Sequence, residues 1–507
     1  MNIRVKVGTA EKESAEMLVF YLYEDVPAVR GPLACCDKVL NNIISELVKK
    51  KEFTARQNKI MILPTYGKIP SGRVMLVGLG RRNDVTSDRI RQAASVTVGS
   101  ARDAGITEIT SIIDSVTISA SDRKEWYQAY VEGCLLALYK FQKYKKVSPE
   151  DRKEPGVLTL LFSDSEESRI AKVSVKNGNI IADAVSFTRD LVNTPAQDKP
   201  PFVLADIARR SAAEHGLQCR ILSAQEIKKL GMGGILSVAK GSSQPPKFII
   251  LEYNARAKKQ DTIVMVGKGV TFDSGGICLK PAKDMDQMKS DMSGGAAVIG
   301  AMTAISEMKL PHRVIGLIPC TENMPGGSAT KPGDIVKLYS GTTAEVVNTD
   351  AEGRLILADA LGYAEKYKPD AVIDLATLTG SCVIALGTVA TGMMGNNDEL
   401  KRRVKIAGEK TWERVWELPL WEEYHEQIKS DIADMKNSGG PHAGAITAAC
   451  FLNKFTRKYP WVHLDIAGTA WSDKNSTYIQ KGATGVGVRL LIQLVQDWTR
   501  FSQKESA

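Results

Sequence analysis

Residues 262–276 read TIVMVGKGVTFDSGG: an uncharged apolar run, Ile263 to Val266, breaks at Gly267 and gives way to Lys268, Asp273 and two glycines. A short uncharged run bounded by glycine reads as a strand buried on both faces. The same pattern recurs on either side. Apolar runs at Lys247 to Glu252, Val314 to Ile318 and Ala371 to Leu375 alternate with helical periodicity that begins at Gly294 and again at Gly353. Such alternation predicts an α/β fold with a mostly parallel or mixed central sheet flanked by helices.

Toward the N-terminus, Val74 to Val77 ends in Gly78-Leu79-Gly80 and precedes a helical pattern from Ser87 to Ala104, a further strand-turn-helix unit. The turn is not a dinucleotide fingerprint, which would need glycine where Asn83 stands. Between Lys145 and Gly156 the chain becomes polar and charged and carries Pro149 and Pro155, which discourage regular structure. A strand from Leu158 to Phe162 and a long helix from Ser168 to Leu191 follow. The expected division is a smaller N-terminal α/β domain over residues 1–155, a linker strand and helix over 156–192, and a larger C-terminal domain over 193–507. No internal repeat or low-complexity tract is evident.

A chain of 507 residues permits two or three domains. Its 43% hydrophobic and 25% charged residues exclude the disordered and fibrous classes. The start, MNIRVKVGTAEKESAEM, has no apolar stretch of the kind a secretory signal needs, and no later run reaches the ~18 apolar residues of a membrane span. A cytoplasmic protein with no membrane partner is expected. The eight cysteines are scattered without a CxxC pair, as reduced thiols would be. A net charge of +9 is a mild excess, concentrated most clearly where Tyr139, Phe141 and Tyr144 interleave with Lys140, Lys143, Lys145 and Lys146. That cluster reads either as a helix running out into a solvated linker or as a surface that stacks on bases and pairs with phosphates.

Chemistry concentrates in two segments. In Val346-Val347-Asn348-Thr349-Asp350-Ala351-Glu352-Gly353-Arg354-Leu355, a short apolar strand stops and a helix begins, the kind of strand end where α/β sheets bind ligands. If that stretch is extended, Asp350 and Glu352 point the same way and offer oxygens to one cation, with the Arg354 donor fork beside them. Acidic capping of the helix start is the plainer alternative. The opening segment places Lys268 and Asp273 at another strand end, and Lys280 and Asp291 follow it, Asp291 just ahead of Ser293, a candidate helix cap. Its GKG lacks the glycine spacing and the hydroxyl residue of a phosphate-binding P-loop. Clustering of Asp273, Asp291, Asp350 and Glu352 would be intolerable without cations between them, and two divalent ions are the natural answer. The five histidines form no HExxH, so a single-zinc protease of that type is not indicated, and structural roles are expected for each.

NTDAEGRL at 348–355 together with VGKGVTFDSGG at 266–276 resembles the signature of the leucyl aminopeptidases, the M17 metallopeptidases. LVNTPAQDKPP near 191, AGAITAACFL near 443 and HLDIAGTA at 463–470 extend the similarity through the C-terminal two-thirds, whereas the N-terminal third, a macro-like α/β domain, resembles the family loosely. The resemblance implies an aminopeptidase with two divalent ions per subunit (Mn²⁺ or Zn²⁺, or Mg²⁺). Lys268, Asp273, Asp291, Asp350 and Glu352 would be the ligands, Lys268 as a neutral amine, and one ion would receive the free α-amine of a peptide. It implies that Lys280 polarises the scissile carbonyl and that Arg354 holds a bicarbonate ion acting as general base. A pocket for the first side chain would involve Met288, Thr377, Leu378, Gly380, Ala467 and Ala470, suited to Leu and other medium apolar residues. A homohexamer, and DNA binding as a secondary role, are also implied; a narrow dipeptidase would share every site residue. Cys278, two residues before Lys280, reads as an inert thiol or as a soft ligand near the ions.

Overall fold

The computed structural model describes residues 1–26, 29–113, 119, 122–146, 148, 154–255 and 260–500, so Pro149 of the sequence-read boundary lies outside the described residues. The chain forms two compact units, residues 1–183 with 474–480, and residues 184–473 with 481–507.

The first unit is built on a six-stranded sheet. Its strands are β1 (Asn2–Val7), β2 (Met17–Leu22), β3 (Ile60–Pro64), β4 (Arg73–Gly78), β5 (Glu108–Ile112) and β6 (Val157–Phe162). The order is β1-β6-β5-β2-β4-β3, parallel throughout except for the antiparallel pair β3 and β4. Every residue of β2, MLVFYL, is buried, as a central strand covered on both faces requires. The helix Ser87–Asp103 starts where Thr86 accepts a hydrogen bond from the Arg89 amide at 3.3 Å. The basic cluster at 139–146 follows the end of the helix Arg123–Ala137, in irregular chain.

The second unit holds the larger sheet. It comprises β7 (Gln218–Leu222), β8 (Lys247–Tyr253), β9 (Thr262–Gly267), β10 (Gly269–Asp273), β11 (Arg313–Asn323), β14 (Ala371–Ala376), β15 (Thr391–Gly395), β16 (Val415–Glu417) and β18 (Trp461–Asp465). The small strands β12 (Ile335–Lys337), β13 (Thr343–Glu345) and β17 (Met435–Lys436) make a separate three-stranded sheet. The large sheet runs β16-β15-β18-β14-β9-β11-β8-β7, with β10 beside β11. Its centre, β18, β14, β9, β11 and β10, is parallel, while β8 pairs antiparallel with β11 and β7, and β15 antiparallel with β18.

Two helices pack on this centre because they have no polar face to give to water. The helix Ser293–Glu307 (SGGAAVIGAMTAISE) is buried from Ser293 through Ser306, and Gly353–Ala364 is buried at all but one position. Val264, Val266, Leu317, Val372, Leu355 and Leu357 belong to one continuous apolar core. Since the central strands are parallel, Lys268, Asp273, Asn323, Thr377 and Asp465 all lie at or just beyond their C-terminal ends, on one edge of the sheet. That edge is where open α/β sheets place their chemistry.

Candidate active site

Two loops and a short turn bring the charged residues of the sequence motifs together. Lys268 follows β9 directly; its Nζ lies 2.7 Å from Asp291 Oδ1 and 2.8 Å from Glu352 Oε1, and donates to the Thr377 carbonyl at 3.0 Å. Asp273 closes β10. Its Oδ1 accepts from the Gly275 amide at 2.9 Å and from Asn323 Nδ2 at 2.8 Å, and its Oδ2 lies 2.9 Å from Lys280 Nζ. Lys280 pairs with Asp350 as well. Asp291 ends the 3₁₀ helix Met285–Ser290, and its Oδ1 also accepts from Thr377 Oγ1 at 2.7 Å.

Glycine makes this approach possible at two positions. A Cβ on Gly353 would sit 2.8 Å from Lys268 Nζ, and one on Gly275, whose φ is +89°, would sit 2.9 Å from Asp350 Oδ1 and 2.4 Å from the Cys278 carbonyl. Neither space admits a methyl group.

Asp350 and Glu352 converge without an extended stretch, and of the two readings of this segment the acidic helix start is the nearer one. The strand is β13, ending at Glu345; Asp350 lies in a turn, and Glu352 occupies the N-cap of the helix Gly353–Ala364 in helical geometry. Local hydrogen bonds, such as the Asn348 side-chain oxygen accepting from the Asp350 amide at 2.9 Å, favour the turn over extension. Ser293 likewise does not cap. It is the first residue of its helix, and its hydroxyl donates to the Ser290 carbonyl while Met292 holds the N-cap position.

One oxygen from each of Asp273, Asp350 and Glu352 lies within 4.8 Å of the others. Cys278 is not part of this group; its amide donates to Thr349 Oγ1 at 2.8 Å. Four carboxylates (Asp273, Asp291, Asp350, Glu352) face two ammonium groups (Lys268, Lys280), a surplus of two negative charges before Arg354 is counted. Asp291 Oδ2 is buried without a hydrogen-bond partner, and Glu352 Oε1 and Asp350 Oδ1 meet lysine nitrogens outside hydrogen-bonding geometry. Burial in an unneutralised cluster raises the carboxyl pKa values of Asp291, Glu352 and Asp350. Burial works against charge on both lysines too, but for Lys268 it is outweighed by Asp291, Glu352 and Asp273, and for Lys280 by Asp273, Glu352 and Asp350, so both pKa values are raised. Lys268 is therefore an ammonium in this field, and becomes a neutral ligand only where a cation takes over the neutralising role. A donor set of oxygens and one amine, with Asp291 Oδ2 buried and unpartnered, fits divalent cations.

Arg354, in the first turn of the helix Gly353–Ala364, is buried with Nε and Nη1 lacking hydrogen-bond partners. Burial brings its pKa down to about 10, so it remains a cation at neutral pH. The other sequence-read positions lie on the same edge. Thr377, Leu378 and Gly380 follow β14, Met288 precedes Asp291 by one turn and accepts its amide at 3.2 Å, and Ala467 and Ala470 follow β18. Leu378 lies against Gly353, where a Cβ would meet its Cδ1 at 3.0 Å.

Several organising residues were not singled out from sequence. Asp465 accepts from the Leu378 amide at 3.1 Å, from Thr379 Oγ1 at 2.7 Å and from the Ala467 amide at 3.2 Å, tying two strand ends together. Lys199, fully buried, donates to the Lys289 carbonyl at 2.8 Å beside the Met285–Ser290 turn. Asn323 and Asn437 hydrogen-bond to the segments that carry Asp273, Asp350 and Glu352. Lys199 and Asp465 fall inside motifs quoted above, yet nothing local distinguishes them there. His463 takes a structural place, its Nδ1 2.6 Å from Asp374, which also accepts from Trp461 Nε1.

Comparison with known proteins gives the family. The model of the cytosol aminopeptidase family, catalytic domain, matches residues 186–492, and that of the family's N-terminal domain matches residues 19–148, so the loosely similar N-terminal third is part of the same relationship. A probable cytosol aminopeptidase of Geotalea uraniireducens is 50% identical over 463 residues, covering 91% of this chain and 92% of the relative. One from Geobacter sulfurreducens is 48% identical over 481 residues, covering 94% and 95%. Among solved structures, a mutant of tomato leucine aminopeptidase superposes with a TM-score of 0.86 at 33% identity, covering 98% of this chain and 96% of that one. The bottromycin maturation enzyme BotP in complex with Mn gives 0.83 at 33% identity, covering 95% and 99%. With both domain models matched and a charged cluster assembled at the sheet edge from the motifs themselves, the chain belongs to the cytosol aminopeptidase family and is an aminopeptidase, a peptide hydrolase.

Proposed function

We propose that this aminopeptidase works with two divalent metal ions, held by Lys268, Asp273, Asp291, Asp350 and Glu352, and releases Leu and other medium apolar residues from the N-termini of peptides in the cytoplasm. The observation that carries the reading is the carboxylate cluster, with one oxygen from each of Asp273, Asp350 and Glu352 within 4.8 Å of the others and Asp291 Oδ2 buried without a hydrogen-bond partner. Manganese, bound in the solved BotP structure, is the first ion to try, with zinc and magnesium beside it. Arg354, with two buried donors unpartnered, supports a bicarbonate ion at that position. When bound, the cations supply Lewis acidity and acidify water, and the bicarbonate supplies a proton acceptor.

The chain's own groups do the rest. Lys280 is held protonated beside Asp273 and Asp350, placed to polarise the scissile carbonyl and to stabilise developing negative charge on its oxygen. A free N-terminal amine has a lone pair to offer one of the cations, which an acylated N-terminus lacks, so the site would favour free over blocked N-termini. Met288, Thr377, Leu378, Gly380, Ala467 and Ala470 would line the pocket for the first side chain; small and apolar groups there favour medium apolar residues. Exposed Ile384, Val389, Trp416 and Trp421 give the second unit apolar surface to bury between copies, in support of a homohexamer.

Hydrolysis of Leu-p-nitroanilide by metal-stripped protein, with and without Mn²⁺, Zn²⁺ or Mg²⁺ and against an N-acetylated control, tests the proposal. Metal-restored cleavage of the free amine alone is expected; no cleavage with any ion, or equal cleavage of the blocked substrate, would overturn it. A secondary role in binding DNA is favoured by one observation, the Phe141 and Tyr144 rings 6.0 Å apart with Lys143 over Tyr144 at 5.4 Å. Such binding would weaken steeply with salt and survive replacement of Asp350 or Glu352; salt-insensitive or absent binding removes it.

A further inference from the structure

We infer that two buried carboxamides, Asn323 and Asn437, are positioning residues that lock the ligand-bearing loops in the arrangement a cation requires, an inference that rests on reading the site as a metal centre. Asn437 is fully buried, and its carboxamide is spent on one segment. Its Oδ1 accepts from the Val347 amide at 2.9 Å and the Asn348 amide at 3.3 Å, and its Nδ2 donates to the carbonyls of Asn348 at 2.7 Å and Ala351 at 3.2 Å. That uses two donors and two acceptors, the whole capacity of the group. Its own amide donates to the Glu345 carbonyl at 2.8 Å, so one residue brackets the chain from the end of β13 to the residue before Glu352.

Asn323 joins that segment to the other loop. It is the register partner of Asp273 across β10 and β11, and is almost fully buried. Its Nδ2 donates to Asp273 Oδ1 at 2.8 Å and to the Thr349 carbonyl at 3.0 Å. Its main-chain carbonyl accepts from Ser274 N at 3.0 Å and from Ser274 Oγ at 2.7 Å. With Asn323 and Gly275 both donating to Oδ1, Asp273 is fixed with Oδ2 toward Lys280.

The need for such a brace follows from the charge. Residues 347–352 are neither strand nor helix, and Asp350 and Glu352 stand against two further carboxylates, whose repulsion at low effective dielectric pushes the loops apart. Neutral amides can hold the backbone there without adding charge, and partners of this kind behind metal ligands are worth about 10- to 100-fold in metal affinity.

The test titrates metal-stripped, full-length chains with Mn²⁺, the free ion being counted by electron paramagnetic resonance. The chains are wild type, Asn323→Ala, Asn437→Ala and a matched control, Asn396→Ala. The Asn396 carboxamide makes three hydrogen bonds in another loop, to the carbonyls of Thr456 and Tyr459 and from the Trp461 amide. The apparent dissociation constant should rise about 10- to 100-fold in both test variants and stay within about threefold of wild type in the control. Wild-type affinity in both test variants, or an equal loss in the control, would overturn the inference. If Asn437→Ala does not fold, Asn437→Leu keeps the approximate shape, loses the hydrogen bonds without adding charge and should show the same loss. A wild-type chain that takes up no Mn²⁺ overturns the metal reading and this inference with it, whereas normal uptake by every variant overturns this inference alone.

Discussion

Lys280 and Arg354 are the side chains whose removal should separate chemistry from folding. Lys280→Ala leaves Asp273 and Asp350 without their shared cation, and Arg354→Ala removes a buried guanidinium with two unpartnered donors. Each should lower kcat by about 10²- to 10³-fold, as loss of a group stabilising developing charge does, with far-UV circular dichroism and the thermal midpoint little changed; near-normal rates in both would dispose of the roles assigned. Gly353→Ala should cost most activity for a steric reason, because its methyl would displace Lys268 Nζ from between Asp291 and Glu352. Lys199 gives a pH effect. Burial, with the Lys289 charge adding to it, brings its pKa down to about 7. The unfolded chain, with an ordinary lysine near 10.4, then binds more protons than the folded one between those values, so stability should rise with pH across that window, by up to about 1.4 kcal/mol per unit for one proton. In Lys199→Met that component of the slope should vanish, measured as unfolding free energy from pH 7 to 10; an unchanged slope would show that Lys199 does not titrate there. The seven charged residues were legible because two short motifs contain most of them. Asn323, Asn437 and Asp465 were not, because each acts through hydrogen bonds to segments dozens of residues away, and an asparagine at a strand end carries no local mark of that.

The helix Gly353–Ala364 shows how an element serves the site. It carries Arg354 in its first turn and follows Glu352 directly, while Leu355, Ile356, Leu357 and Leu361 seat it in the core. Leu357→Ala, at a fully buried position, should destabilise the protein by about 2–5 kcal/mol through lost burial and a residual cavity, read from chemical denaturation, with kcat per folded molecule retained; a cost below about 1 kcal/mol would mean that the core closes over the gap. The sequence marked this helix, its partner at 293–307 and the strands between them, since uninterrupted apolar runs and glycine breaks are strong local signals. Of the two readings of 346–352, the extended alternation does not hold and the acidic helix start is the nearer one, because Asn348 holds Asp350 in a turn and Glu352 occupies the N-cap position. Ser293 misled for the opposite reason: a serine next to a helix start usually caps it, but here its hydroxyl finds the Ser290 carbonyl first.

Over the whole molecule, alternating strands and helices were enough to read an α/β chain with a parallel-centred sheet, because such strands need continuous apolar runs. The short edge strand β16 and the three-stranded sheet are too brief to show a period, and nothing in the sequence of 474–480 announces that it packs with the first unit. The placement of the chemistry at one sheet edge follows from the parallel centre, since Lys268, Asp273, Asn323, Thr377 and Asp465 share a polarity through their strands. Chelation should accordingly abolish peptide hydrolysis while leaving the two folded units in place, and activity that persists in a demonstrably metal-free sample would remove the cations from the account. The most direct measurement is an anomalous-difference map from crystals of the protein soaked in Mn²⁺. Two peaks bounded by Lys268, Asp273, Asp291, Asp350 and Glu352 are expected; strong peaks elsewhere with none among these residues would contradict the two-metal centre.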